Sequence, residues 1–328
     1  MNIVFQGLTK DQKQWLQAKY PKLRVKFFAG KISSDKLPPR NTEILSIHTD
    51  SKITREILKQ LPELKLIVTR TTGTDHIDLV ACKAAGVRVC NAAGQNATAV
   101  AEFTIGLMVA AGRSLLIGSR TVELGQLNSH NWYGQEFFGQ TLGVVGTGAI
   151  GLQVIKIAKA FGMNVVAYDF KPNKSMAKRL GFEYTSLKQV FKKSDVVSLH
   201  IPGTPMTKKL INRELLGLAR QGLGLINTAR GSVVDTSAIL KALKSNKLGW
   251  YAADVLDDEE AFALPNTRGL SASRKKLRQL NQALIKHPQA IITPHMAHAT
   301  SAATEKIMQM TVNLILDFEK NKKIKFIV

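Results

Sequence analysis

The sequence predicts an α/β protein built on parallel sheets, and two observations point to this class. Short apolar runs alternate with helical patterns almost from end to end, as expected when parallel strands are joined by helices. One of these runs leads through a glycine-rich turn directly into a helical pattern, over Leu142–Phe161. With 328 residues, the chain is long enough for two domains of ordinary size.

The first third of the chain supplies the first set of alternating elements. Helical patterns cover Lys10–Lys19 and Ile53–Gln60. The candidate strands are Ile3–Gln6, Val25–Ala29, Ile44–His48, Leu66–Thr69 and Val87–Cys90. A turn containing Thr72 and Gly73 follows the fourth strand, at the edge where open α/β sheets bind ligands. The backbone N–H groups of such a turn would hold one side of a carboxylate.

The middle of the chain begins with an apolar helical segment, Ala97–Ser119. We expect one helix here, buried between domains or subunits, because a helix that is apolar on nearly all sides rarely faces solvent. The candidate strands that follow are Leu142–Val145, Val165–Tyr168, Val196–His200, Gly224–Asn227, Tyr251–Val255 and Ile291–Thr293.

The glycine-rich turn is the most specific motif of the chain. Gly146, Gly148 and Gly151 form G-x-G-x-x-G between a strand and a helix, and the next strand ends at Asp169, 18 residues after Gly151. Such glycines allow a tight turn, the close approach of a pyrophosphate and the packing of the helix on the strand. The helix N-terminus attracts phosphates through its N–H groups and its dipole. The sequence therefore predicts that the chain binds a dinucleotide.

Three groups of polar residues each follow a candidate strand: Arg230, the acids within Asp254–Glu260, and His295. Their chemistry suits hydride transfer to a 2-keto acid. An arginine binds a carboxylate with a planar fork, and a histidine donates a proton to the carbonyl oxygen. A carboxylate against the imidazole favours its protonated form. Taken singly, each residue is more often a surface ion pair, part of a charged turn or a structural histidine.

Composition narrows the class of protein further. The two cysteines, Cys82 and Cys90, argue against a disulfide framework and favour a reducing compartment. Met1–Gln6 is strand-like rather than a signal peptide, and Phe103–Gly112 is too short to span a bilayer. We expect a cytoplasmic protein without membrane association, and no metal site is predicted. The net charge of +22 is spread along the chain, so nucleic acid is not the expected partner.

In their order along the chain, these segments resemble the D-isomer-specific 2-hydroxyacid dehydrogenase family. The segments that carry the resemblance are Thr72–Gly73, Asn91–Glu102, Leu142–Gly151, His200–Pro202, Asn227–Ser232, Asp254–Glu259 and Thr293–Thr300. The resemblance implies an NAD-dependent oxidoreductase that interconverts a 2-keto acid and a D-2-hydroxy acid.

The resemblance also assigns roles to individual residues. Arg230, with Thr72 and Gly73, would bind the substrate carboxylate. His295 would exchange the proton, and Glu259 would be its acid partner. The residues implied to contact NAD are Gly146, Gly148, Ala149, Ile150, Gly151, Asp169 (on the ribose hydroxyls), Ile201, Pro202, Thr207, Thr228, Ala229 and Asp254.

The fold implied by the resemblance is a pair of Rossmann-like, doubly wound parallel-sheet domains, with the cofactor domain inserted into the substrate domain. Residues 1–97 and 298–328 would form the substrate (catalytic) domain, and residues 98–297 the NAD-binding domain. Family members usually dimerise through the cofactor domain, so we expect a homodimer. The alternative is a dinucleotide-sensing, corepressor-like binding protein. The complete set of Arg230, Glu259 and His295 argues against it, because a sensor has no physical need for all three.

The chain departs from the family pattern at three places. Glu260 replaces the proline that often follows the acid, and His298 stands where a small residue is common. The interval of 41 residues from Asp254 to His295 is longer than usual. It contains a basic segment with helical spacing, Ser271–Leu284, which we expect to be a surface helix with its basic side chains in solvent. The alternative is an anion site for a phosphorylated or polyanionic partner, and the substrate itself stays open.

Overall fold

The computed structural model describes residues 1–127, 134–322 and 324. The chain forms two compact units, which we call unit 1 (residues 1–96 and 299–328) and unit 2 (residues 97–298). The C-terminal segment therefore returns to the unit in which the chain begins.

The described residues contain twelve strands. They are β1 (Ile3–Gln6), β2 (Val25–Phe28), β3 (Ile44–Ile47), β4 (Leu66–Thr69), β5 (Arg88–Asn91), β6 (Thr141–Val145), β7 (Asn164–Tyr168), β8 (Glu183–Tyr184), β9 (Val196–Leu199), β10 (Leu223–Asn227), β11 (Leu248–Ala253) and β12 (Ala290–Ile292).

The same residues contain thirteen α-helices. They are α1 (Lys10–Lys19), α2 (Arg55–Gln60), α3 (Leu79–Ala84), α4 (Ala97–Gly112), α5 (Leu115–Glu123), α6 (Ala149–Ala160), α7 (Lys174–Leu180), α8 (Leu187–Lys193), α9 (Arg213–Gly217), α10 (Thr236–Lys244), α11 (Glu259–Ala263), α12 (Ala272–Ile285) and α13 (Ser301–Glu319). A short 3-10 turn, Gly231–Val233, follows β10.

Unit 1 is built on a parallel sheet with the strand order β2-β1-β3-β4-β5. Every residue of β1, β3 and β4 is buried, because helices cover both faces of the sheet. Val4 and Leu45 pack on one face with Ile57 of α2 and Ala81 of α3. Phe5 packs on the other face with α1 and α13. The C-terminal helix therefore completes the core of unit 1.

Unit 2 is built on a parallel sheet with the strand order β12-β11-β10-β9-β6-β7-β8. From β6 the chain runs to one edge through β7 and β8, and then returns to the other side of β6 with β9. This reversal opens a crevice at the carboxyl ends of β6 and β9, where doubly wound sheets bind ligands. Helices α4 and α6 cover one face, and α8, α9 and α10 cover the other. The predicted fold class, with two parallel-sheet α/β domains, is confirmed.

The apolar segment at the start of unit 2 differs from the prediction of one helix over Ala97–Ser119. Helices α4 and α5 are bent by 60° relative to each other, and Ser114 between them has a left-handed φ of 52°. Leu115, Leu116 and Val122 of α5 are 52%, 58% and 54% exposed, whereas α4 packs against α6. Among the described helices, no single one has the length and hydropathy of a membrane span, although α4 and α5 taken together would meet both criteria.

Candidate active site

The turn after β6 takes its shape from glycines. Gly146 has a φ of +96°, which L side chains rarely adopt, and a Cβ there would lie 2.5 Å from the carbonyl oxygen of His200. A Cβ at Gly151 would overlap the carbonyl oxygen of Gly146, so α6 packs closely on the turn. Gly148 is the N-cap of α6, and no described atom lies within 4 Å of its Cβ position. The turn is therefore open in front of the α6 N-terminus.

Asp169 follows β7 and is tied to the same turn. Its Oδ2 accepts hydrogen bonds from the N–H of Thr147 at 2.6 Å and from the hydroxyl of Thr147 at 3.0 Å. Its Oδ1 accepts a hydrogen bond from the N–H of Lys171 at 2.8 Å. The hydroxyl oxygens of Thr147 and Tyr184 lie 2.7 Å apart. These contacts hold the carboxylate in place next to the glycine turn.

These groups fit a bound dinucleotide. The N-terminus of α6 has no side-chain cap, so its first N–H groups can meet an anion. Gly148, Ala149 and Ile150 would hold the pyrophosphate, and the Asp169 carboxylate would accept hydrogen bonds from the ribose hydroxyls. Both Gly148 and Ala149 are exposed. The turn thus provides room, donors and an acceptor in the arrangement that a dinucleotide requires.

The other residues predicted to line the cofactor lie at the carboxyl ends of β9 and β10. Ile201 and Ala229 are buried, whereas Pro202 is exposed. The hydroxyl of Thr207 donates to the carbonyl oxygen of Pro202 at 2.6 Å, and the hydroxyl of Thr228 lies 2.8 Å from that of a threonine in α4. Their contact with the cofactor stays a prediction.

Arg230 follows β10 and precedes the 3-10 turn. A Cβ at Gly231 would overlap the backbone of Leu256 and Asp257, so this turn packs directly on the acidic segment after β11. Buried Asn227, the last residue of β10, fixes the turn, because its side-chain amide donates to the carbonyl oxygen of Arg230 at 3.0 Å. The close approach at Gly231 therefore brings the segment that carries Arg230 against the segment that carries the predicted catalytic acid.

The central contact of the site is the hydrogen bond between His295 and Glu259. His295 Nδ1 lies 2.9 Å from Glu259 Oε2, and the other oxygen, Oε1, accepts the N–H of Leu256 at 3.1 Å. His295 has a left-handed φ of 54°, which is uncommon for a residue with a Cβ and recurs at functional sites. The two side chains are 44% and 42% exposed, so the pair is accessible to a substrate.

Asp254 holds the loop that carries His295. This carboxylate is 2% exposed. Its Oδ1 accepts the hydroxyl of Thr293 at 2.6 Å and the N–H of Met296 at 2.9 Å, and its Oδ2 accepts the N–H of Ala297 at 2.8 Å. Because these partners flank His295 on both sides, they fix the loop in its uncommon conformation. The predicted contact of Asp254 with the cofactor stays a prediction.

The electrostatics of the site favour an imidazolium paired with a carboxylate. The hydrogen bond with Glu259 raises the pKa of His295; burial and Arg230 act against this, and the charges of Glu259 and Asp254 add to it. Burial by itself would raise the pKa of Glu259, but His295, the N–H of Leu256 and Arg230 together lower it. Since Arg230 acts on both members, all three residues share one electrostatic environment in unit 2.

Two other histidines near the strand ends have lowered rather than raised pKa values. The rings of His298 and His295 are 6.1 Å apart and nearly perpendicular, and burial together with the charge of His295 lowers the pKa of His298. His200 lies with Nε2 2.8 Å from the hydroxyl of Ser198, and burial lowers the pKa of His200 to about 3. Of these three histidines, His295 is the one suited to carry a proton near neutral pH.

The predicted substrate-binding turn belongs to unit 1, where it follows β4. The side-chain amide of Asn91 donates to the carbonyl oxygen of Thr72 at 2.8 Å. The hydroxyl of Thr71 donates to the carbonyl oxygen of Gly73 at 2.6 Å. The hydroxyl of Thr72 donates to Asn96 Oδ1 at 3.0 Å. These bonds fix the turn, and its contact with a substrate stays a prediction.

The basic helix α12 corrects one sequence-based expectation. Its arginines do not simply extend into solvent: Arg274 makes two hydrogen bonds to Asp258, at 2.6 and 2.7 Å, and Arg278 donates to the carbonyl oxygen of Ala261 at 3.2 Å. Sequence reasoning missed these contacts because their partners lie 16 and 17 positions away along the chain. The three hydrogen bonds of Asp254 were missed for the same reason, whereas a glycine directly after Arg230 was a readable signal of close packing.

Comparison with known proteins identifies the family of the chain. The chain matches the D-isomer specific 2-hydroxyacid dehydrogenase, NAD binding domain, over residues 105–297. It is 36% identical to D-3-phosphoglycerate dehydrogenase of Methanocaldococcus jannaschii over 221 residues, which cover 67% of this chain and 42% of that protein. It is 34% identical to hydroxypyruvate reductase of Thermotoga maritima over 266 residues, which cover 81% of each.

A solved structure extends the similarity to nearly the whole chain. D-lactate dehydrogenase from Aquifex aeolicus, complexed with NAD and lactic acid, superposes with a TM-score of 0.84 at 35% identity, covering 98% of this chain and 96% of that one. Together with the fold and the glycine turn, these similarities define the class of the chain, which is that of the NAD-dependent oxidoreductases. The chain belongs to the D-isomer-specific 2-hydroxyacid dehydrogenase family, and NAD is its cofactor. The predicted family, enzyme class and cofactor are confirmed.

Proposed function

We propose that this enzyme interconverts a small 2-keto acid and the corresponding D-2-hydroxy acid, with His295 and Glu259 as the proton relay and Arg230 as the carboxylate anchor. The observation that carries the proposal is the 2.9 Å hydrogen bond between His295 and Glu259, in the electrostatic reach of Arg230. When bound, NADH supplies the hydride that reduces C2 of the keto acid.

His295 holds the proton that the reduction requires. In the imidazolium both ring nitrogens carry a hydrogen, and Nδ1 donates to Glu259. The Nε2 N–H is then the donor for the substrate oxygen, which becomes the hydroxyl of the product. In the reverse direction the neutral imidazole accepts this proton. Asp254 keeps the loop in place through both protonation states, because it binds the backbone and Thr293 rather than the ring.

Arg230 binds the substrate carboxylate in this proposal. A guanidinium offers two parallel N–H donors that match the two oxygens of a carboxylate. The Arg230→Lys variant keeps the charge but loses the planar fork, so we expect KM for the keto acid to rise roughly 10–10²-fold, with little change in NADH binding.

Steady-state kinetics with varied keto acid measures this change. Arg220→Lys is the matched control, since Arg220 is 55% exposed and pairs with Asp195 on the surface. An unchanged KM in the Arg230→Lys variant excludes Arg230 as the anchor.

The group attached to C2 is the open part of the substrate. The relatives are named for phosphoglycerate, hydroxypyruvate and lactate, which share the 2-hydroxy or 2-keto acid and differ in that group. Oxidation of NADH should therefore be assayed with pyruvate, hydroxypyruvate, phosphohydroxypyruvate, glyoxylate and oxaloacetate. We expect turnover with at least one of them and a D product where C2 is chiral. Tight NADH binding without turnover would favour the corepressor-like alternative.

We also propose that the enzyme is a cytoplasmic homodimer. Both cysteines are buried thiols, which fits a reducing compartment. Helix α5 presents Leu115, Leu116 and Val122 to solvent, and a partner subunit would cover such an apolar surface. Light scattering coupled to size exclusion should give about twice the chain mass of 36.0 kDa, and a monomer would contradict the dimer.

A further inference from the structure

The feature that the proposed function leaves unexplained is the long segment between β11 and β12, and above all α12. Helix α12 is anchored in unit 2 by Leu284, which is 1% exposed and lies in the core beside α10. Another face of α12 carries Arg274, Arg278 and Asn281, at a spacing of four and then three residues, which places them in one row on the helix. This row faces the acidic segment that carries Glu259.

Each member of the row binds a different point of that segment. Arg274 Nε and a terminal N–H donate to the two oxygens of Asp258, at 2.6 and 2.7 Å. Asn281, 1% exposed, donates from its side-chain amide to the carbonyl oxygen of Asp257 at 2.8 Å. Arg278 donates to the carbonyl oxygens of Ala261 at 3.2 Å and Asn266 at 2.9 Å. We call these three side chains the α12 clamp.

The clamp holds a conformation that is unfavourable by itself. Asp258 has a left-handed φ of 55°, and its Oδ1 accepts the N–H of Ala261 as the N-cap of α11. Aspartate adopts this conformation more readily than most residues with a Cβ, but still less readily than glycine, so the surrounding contacts help to maintain it. Glu259 is the next residue, and its direction toward His295 follows from the backbone of Asp258. A bidentate arginine with a charged partner supplies the geometric restraint that an ordinary surface ion pair lacks.

We infer that the α12 clamp is a positioning device for the catalytic acid, with Arg274 orienting Glu259 toward His295 through Asp258. This inference rests on the proposed function, because it assigns the clamp to the proton relay. Arg274 bonds neither member of the relay, so it acts through the backbone and not as a charge beside the imidazole. Arg230, Asp254 and His298 are charged or titratable groups of unit 2 that interact electrostatically with the relay from other segments.

The first test removes the clamp at Arg274 and follows the relay. In the Arg274→Ala variant we expect kcat to fall about 10-fold or more, because a small misplacement of a catalytic group is costly. KM for NADH should stay unchanged. The alkaline limb of the kcat/KM profile for reduction should move to lower pH, because His295 loses contact with its carboxylate. Lys275→Ala is the matched control, since Lys275 is exposed and its side chain makes no hydrogen bond or ion pair among the described residues.

A second measurement does not depend on turnover. NMR titration of the histidines in the protein without substrate, with His295 assigned from the His295→Gln variant, should show a lower pKa for His295 in Arg274→Ala than in the wild type. Should Arg274→Ala fold poorly, Asp258→Asn replaces it: asparagine retains the N-cap and tolerates the left-handed conformation, but it weakens the charge-assisted pair. Asp258→Asn should show the same shifts in smaller degree.

A double-variant cycle separates positioning from general stabilisation. If Arg274 acts through Glu259, Arg274→Ala should cost little further in kcat when combined with Glu259→Gln. Full additivity of the two losses would overturn the inference, as would wild-type pH profiles in Arg274→Ala and Asp258→Asn. If Glu259→Gln itself has wild-type kinetics, the proposed function fails together with the inference. If Glu259→Gln is impaired and both clamp variants are not, the inference alone fails.

Discussion

The glycine turn after β6 and the cluster of Arg230, Glu259 and His295 lie on the same sheet of unit 2, but they are fixed by different means. Backbone geometry fixes the glycine turn: Gly146 has a positive φ, and Gly151 leaves room for a close approach. Side chains that are distant in sequence fix the cluster, since Asp254 holds the His295 loop and α12 holds the acidic segment. The comparison teaches that the predicted cofactor site depends on a local motif, whereas the proposed proton relay depends on tertiary contacts.

The largest effect is expected from a substitution that disrupts the cluster and leaves the glycine turn intact. His295→Gln removes the proposed proton donor, so kcat for keto acid reduction should fall by about 10²–10⁴-fold, while NADH binds as in the wild type. Stopped-flow kinetics and fluorescence titration with NADH measure the two quantities. His287→Gln is the control, because His287 accepts a backbone hydrogen bond in the turn between α12 and β12. Comparable kcat values in both variants would assign the proton transfer to another group.

The next largest effect is expected from a substitution in the glycine turn that leaves the cluster intact. At Gly148 a methyl group meets no described atom within 4 Å and φ is −68°, so Gly148→Ala should fold with an unchanged Tm. The methyl would occupy the space in front of the α6 N-terminus, and we expect NADH to bind roughly 10-fold more weakly or worse.

A second variant, at Gly146, distinguishes the loss of space for the cofactor from a loss of protein stability. Gly146→Ala forces a side chain into a left-handed conformation and against His200, so its Tm should fall as well. Calorimetry and NADH titration distinguish the two variants. Unchanged NADH affinity in Gly148→Ala would show that the pyrophosphate does not lie at this turn.

The smallest expected effect is a change in the pH dependence of the reduction rate. In the proposed mechanism, reduction needs protonated His295, whose pKa is raised above the ordinary 6.5, so the reduction rate should fall as the pH rises through this raised value. In Glu259→Gln the hydrogen bond to a carboxylate and its charge are lost. Burial and Arg230, which lower the pKa of His295, are then opposed only by the charge of Asp254. The alkaline limb should therefore move toward lower pH.

The control for this shift is the neighbouring exposed acid, in Glu260→Gln. The kcat/KM profiles of the two variants and the wild type should be measured between about pH 5 and 9. Oxidation of the D-2-hydroxy acid should show the opposite trend, since it needs neutral His295. A limb that stays in place in Glu259→Gln would remove Glu259 from the relay.

Local sequence patterns predicted elements where the buried pattern is continuous. The predicted and observed bounds coincide for β1, β4 and α1, because parallel strands covered on both faces are short apolar runs and a capped amphipathic helix has clear ends. The bend between α4 and α5 was not predicted, since both helices are apolar and only their packing differs. The helical spacing predicted α12, but it did not predict which backbone and side-chain groups its arginines contact.

By itself, the sequence determined the family, the enzyme class and the cofactor of the protein. The order of strand, glycine turn, helix and acid is local, and so are the residue types at Arg230, Glu259 and His295. The resemblance already implied Glu259 as the acid partner of His295. Only the tertiary structure decided how these side chains are held: that Asp254 anchors the histidine loop, and that Arg274 reaches Asp258. The physical reason is that hydrogen bonds between distant segments depend on the arrangement of strand ends and helices, which no local pattern encodes.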